Sequence, residues 1–171
     1  MYPQQYIEYL IHFHGSRDYF ECHELLEEYW KETDKGNKNS VYVALILLAV
    51  SAYHHRRGNF PGAIRTLEKS LSIFQQTKPD TARLGLDEQD LEKLLDSKMQ
   101  DLRAETPYKS FNLPISDERL LNTCKMESIR MGYIWLKESD MANEDILNRH
   151  SSRDRSEVIN DRLKALKLKR N

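Results

Sequence analysis

Between residues 3 and 104 apolar side chains recur every three to four positions, and glycine, proline and asparagine cut that pattern into helix-length pieces. Tyr6, Ile7, Leu10, Ile11 and His14 share one face and predict a first helix over about 3–14. Gly15 breaks it, and Ser16 is placed to cap a second helix that continues to Thr33, before the turn sequence KGNKN. The uncharged run VYVALILLAVSAY (41–53) predicts a third helix over 40–57. As a helix that run is only about 20 Å long, too short for a bilayer, and reads as a central helix buried on all sides. Gly58 and Asn59 turn the chain, Pro61 sits in the first turn of a fourth helix reaching Gln76, and Ile64, Leu67, Leu71 and Phe74 form its inner stripe. After KPD, the stretch Asp87, Glu88, Gln89, Asp90 resembles a capping box for a fifth helix to Ala104.

From Thr106 the pattern changes. TPYKSFNLPIS holds two prolines and alternates Phe111, Leu113 and Ile115, the mark of an extended connector or an edge strand. A helix follows Ser116 to about Arg130, GYIWL (132–136) suits strand or helix equally, and a last helix from Ser151 carries Val158, Ile159, Leu163 and Leu166 opposite its basic residues. Laying Tyr19 on Phe60 aligns Cys22 with Ala63, Leu26 with Leu67, Glu27 with Glu68 and Trp30 with Leu71. Two helical hairpins therefore stack, and the second, AYHHRRGNFPGAIRTLEKSL, resembles a tetratricopeptide hairpin. The fold class is all-α: a bundle of two stacked antiparallel hairpins plus further helices. Residues 1–105 form the helical core domain, and 106–171 form a C-terminal extension with room for a short strand pair.

Charge adds little to this picture, because 26 basic residues face 27 acidic ones. The last nineteen positions carry a local balance of +4, but Asp154, Glu157 and Asp161 interleave with Arg153, Arg155 and Arg162, and no aromatic residue lies among them. An ion-paired helix that can dock a partner fits better than a nucleic-acid surface. Cys22 and Cys124 are far apart and outside any CxxC spacing, and the N-terminus lacks the basic start and apolar core of a signal peptide. A cytoplasmic protein away from membranes is expected.

The candidate chemistry lies in the second helix. With Tyr19 at zero on a helical wheel, the apolar arc ends near Trp30 at about 20°, followed by His23 at about 40°, Glu27 at about 80° and Phe20 at about 100°. An imidazole and a carboxylate one turn apart can hydrogen-bond or grip one cation. Glu24 falls on the outer, acidic side. His12 and His14 end the first helix, and His54 and His55 end the third. If the hairpins stack in parallel, five of the six histidines gather at one end with Asp18, Glu24 and Glu27, a nitrogen and oxygen set suited to zinc, manganese or iron. HELLE is not HExxH, however. Histidines at helix C-termini also complement the helix dipole, and an edge histidine is commonly satisfied by one hydrogen bond. Both readings stay open on the sequence.

GSRDYFECHELLEEYW, then ALILLAVSAYHHRRGN, then GAIRTLEKSL resembles the domain-of-unknown-function family numbered 309, over about residues 11–76. The resemblance carries Phe20, His23, Glu24 and Glu27, then His54 or His55 with Gly58 and Asn59, then Gly62 and Ala63. It implies an all-helical fold and the label of a metal-dependent hydrolase. Two functions follow. One is an interaction or scaffold module that binds a protein partner or a second copy of itself, which the absence of a complete catalytic motif favours. The other is a hydrolase whose divalent metal, such as zinc or manganese, is held by His23, Glu27 and His54 or His55, with Glu24 or Asp18 as general base. Cys22 lies in the apolar arc, where a thiol stays protonated. His150 stands outside the cluster.

Overall fold

A computed structural model describes residues 1–152, together with Leu163, Lys164 and Lys167. The expected apolar stripe of the last helix lies mostly outside these residues. The chain forms α1 (Gln4–Ile11), a π-helical turn (His12–Ser16), α2 (Tyr19–Thr33), α3 (Val41–Arg56), α4 (Phe60–Gln76), α5 (Lys78–Arg83), α6 (Glu88–Arg103), α7 (Glu118–Arg130), α8 (Glu144–Leu147) and α9 (Arg149–Ser152). It is an all-α bundle. Among the described residues no helix is long and apolar enough to cross a membrane.

The uncharged run becomes α3, and α2 and α4 pack on it as the two halves of a central layer. Small residues bring α3 and α4 together: the Ser51 hydroxyl donates to Ala63 O at 2.8 Å and the Ser70 hydroxyl to Ala44 O at 2.7 Å. These bonds satisfy hydroxyls that would otherwise be costly to bury. Tyr6 and Tyr9, both fully buried, donate to Leu84 O and Leu45 O and tie α1 to the same core.

The entry into α2 differs from the expected cap. Ser16 closes the π turn instead, its hydroxyl 2.8 Å from His12 Nδ1, and Asp18 caps α2 by accepting from Glu21 N–H at 3.1 Å. Gly15 suits the close approach there, since a Cβ would stand 3.2 Å from Tyr133 Cβ and 3.3 Å from Ser128 Oγ and press both neighbours back. Arg17 makes the bend with φ 56 and is itself buried. Its guanidinium donates to the carbonyls of Phe13, Phe111 and Lys137 and to Asn112 Oδ1.

Arg17 thus stitches the stretch after Thr106 onto the helical layer, where Phe111, Leu113, Leu120 and Cys124 join the core. That stretch is an extended connector with one antiparallel bridge, Leu86 to Ile115, and no ladder of strands among the described residues. GYIWL is neither strand nor helix. Gly132 (φ 82) and Leu136 (φ 63) turn the backbone at both ends, while Tyr133 meets the edge of His12 and Trp135 stacks on His14 at 4.7 Å. KPD likewise starts a helix, α5, because Pro79 is tolerated in a first turn where its missing N–H has no intrahelical role.

Candidate functional site

His23, Glu24 and Glu27 come together on a half-buried flank of α2. His23 Nδ1 stands 3.1 Å from Glu24 Oε1, its Nε2 stands 3.1 Å from Glu27 Oε2, and Lys31 Nζ reaches Glu27 Oε1 at 2.7 Å. Burial disfavours charge on the His23 ring, but the Glu24 and Glu27 carboxylates outweigh it and lift the ring to about 9. The same contact, opposed by partial burial and reinforced by Lys31, holds Glu27 down at about 2. Nδ1 is screened from water, yet Glu24 Oε1 lies off its N–H direction, so this buried atom has no aligned hydrogen bond. One donor atom from each of the three residues lies within 4.8 Å of the others. Such a set holds one positive charge between two carboxylates, as a proton or as a cation, and its nitrogen and oxygen donors suit zinc or manganese. The donor types fit a divalent ion once the ring gives up a proton to it.

Glu24 is a correction to the helical wheel. Its Cα direction does point outward, but the side chain is long enough to fold back on its neighbour's ring. A wheel records direction and not reach.

Beside the triad, α2 and α3 enclose a cleft of about 220 Å³. Phe20, Val50 and Tyr53 make it apolar, while His23, His54 and Arg57 stand along its wall. The Phe20 ring lies 5.8 Å from the His23 ring and 6.0 Å from that of Tyr53. Of the two histidines ending α3, His54 lines this cleft. His55 points elsewhere, its Nε2 bonding Thr106 O at 2.8 Å and its ring edge-on to Tyr108.

The gathering of five histidines at one end does not form. His12 bonds Ser16, and His14 uses both nitrogens: Nδ1 donates to Leu10 O at 2.7 Å and Nε2 accepts from Leu113 N–H at 2.9 Å. Burial leaves His14 neutral, with its ring pushed down to about 4. Asp18 is occupied as well, because beyond its capping bond it pairs with Arg149 at 3.1 Å. His150, placed outside the cluster on sequence, lines the cleft: the Tyr53 hydroxyl hydrogen-bonds its Nδ1 and accepts from its backbone N–H. Arg57 and Tyr53 had no marker as site residues. Tyr53 reads as one more position in an apolar helix, and ninety-seven residues separate it from His150.

The profile of the family described as "Domain of unknown function (DUF309)" matches residues 6–66, which span the triad and His54. The chain is 42% identical over 170 residues, 99% of its own length and 98% of the relative's, to a protein of Bacillus subtilis (strain 168) named "Uncharacterized protein YpuF". The chain, itself an all-α bundle, belongs to this DUF309 family. No solved structure matches it.

Proposed function

We propose that the chain is a divalent-cation-dependent hydrolase in which His23, Glu24 and Glu27 hold the ion and the neighbouring cleft presents the bond to be cut. The observation that carries this reading is the set of three donor atoms within 4.8 Å at the edge of an apolar cleft. When bound, such an ion polarises a carbonyl or phosphoryl oxygen and acidifies water. The protein's own part is to position and to accept protons. Phe20 and Tyr53 exclude water from one side of the ligand. Asp18 is committed to its cap and to Arg149, so the role of proton acceptor falls to the second carboxylate oxygen of Glu24, the one not turned to the ion. His54 stands across the cleft on α3, with its Nδ1 held by Asn59 Nδ2. Two separate buried thiols, Cys22 and Cys124, fit a reducing cytosol.

The test is turnover of a panel of p-nitrophenyl esters and phosphoesters by chelator-stripped protein resupplied with zinc or manganese. Metal-dependent turnover by the parent that disappears in Glu24→Gln and persists in Lys93→Ala supports the reading. Equal rates in all three proteins contradict it.

A second reading, an interaction module for a protein partner or a second copy, rests on a different surface. Met126 and Ile129 on α7 are 70% and 75% exposed, and Ile134 beyond the helix is 67% exposed. Sedimentation of the parent beside Ile129→Asp tests it, since self-association through this face is lost in the variant.

A further inference from the structure

The polar groups in the wall of the α2–α3 cleft differ in what they leave free. Asn59 caps α4 by accepting from Gly62 N–H through Oδ1 at 3.2 Å, which fixes its amide orientation. Its Nδ2 then donates to His54 Nδ1 at 3.0 Å, so the proton of a neutral His54 ring sits on Nε2. That N–H has no partner among the described residues. The next wall group, Arg57, lies over the Tyr53 ring at 5.5 Å and pairs with no carboxylate among the described residues. The Tyr53 hydroxyl is engaged by His150, through Nδ1 and through the backbone N–H. The remaining capacity of this wall is therefore all donor and partly cationic, above a floor of Phe20, Val50 and Tyr53.

We infer that the cleft binds a small carboxylate with a flat apolar body, the carboxylate taken by Arg57 and His54 Nε2–H and the body by Phe20, Val50 and Tyr53. A volume of about 220 Å³ matches one ring with a short side chain. This names an aryl or alkyl carboxylic acid, or a derivative that yields one, as the ligand class, and rests on the hydrolase reading only for the step from ligand to substrate.

Binding of phenylacetate to the full chain, measured by calorimetry and ligand-observed NMR with chelator present, tests it. The expected result is saturable binding that weakens about tenfold or more in Arg57→Gln, is similarly weaker for phenylacetamide, and is lost in Val50→Trp, which fills the floor. Absence of saturable binding by the parent overturns the inference. So does undiminished affinity in Arg57→Gln, an exposed position whose replacement leaves the core untouched. Chelator keeps the outcomes separate: failure here removes the carboxylate cleft, whereas the metal content of the same protein bears on the triad alone.

Discussion

His14 and His23 are nine residues apart and sit in opposite kinds of environment. His14 is buried in the π turn with both ring nitrogens bonded to backbone groups and Trp135 stacked on its face. Burial holds it neutral. His23 lies half-buried on a helix flank between two carboxylates, which outweigh burial and hold it protonated, and its Nδ1 has no aligned hydrogen bond. The contrast separates a histidine that has spent its donors and acceptors on the backbone from one whose ring is held by two carboxylates.

Removing the buried ring is the harshest way to break this comparison. His14→Ala strands Leu113 N–H and opens a cavity beneath Trp135, so a loss of about 3–5 kcal/mol is expected in chemical denaturation. Acid should expose the same difference more gently. The folded His14 titrates near 4 and the unfolded ring near 6.5, so the unfolded state binds the extra proton first. The stability this ring provides is complete above pH 6.5 and erodes as pH falls towards 4, by about 3 kcal/mol in all. Denaturation midpoints at pH 7 and pH 4.5 measure the slope, which should shrink in His14→Gln.

His23 should show the opposite sign with a smaller amplitude. Its folded value is raised to about 9, so its contribution is complete below pH 6.5 and lost as pH rises through 9. The group and its partners are partly solvated, and His23→Ala should cost about 1 kcal/mol or less at pH 7. The smallest effect belongs to Lys31→Ala, an exposed pair with Glu27 worth about 0.3–0.5 kcal/mol in the same assay.

The long helices were legible because period and punctuation agreed: Asp87 caps α6 where the capping box lies, while Ser40 and Asn59, read as a helix start and a turn, prove to be the caps of α3 and α4. The entry to α2 was not, because Ser16, Arg17 and Asp18 are all plausible boundary residues and only packing against Ser128 and Tyr133 decides among them. In the site, the spacing of His23 and Glu27 was enough to pair them. Glu24 was hidden by a wheel that ignores side-chain length. His54 could not be told from its neighbour His55 without knowing which side of α3 faces α2, and His150 is brought in by a stretch whose course over the core depends on Arg17 and Arg56.

Elemental analysis of untagged protein purified without chelator, beside His23→Ala confirmed as folded by circular dichroism, tests the central claim most directly. The triad as a cation site predicts near-stoichiometric zinc or manganese in the parent and none in the variant. Equal metal content in the two proteins, or none in either after incubation with both ions, would contradict it and leave His23 and its carboxylates as a surface ion pair.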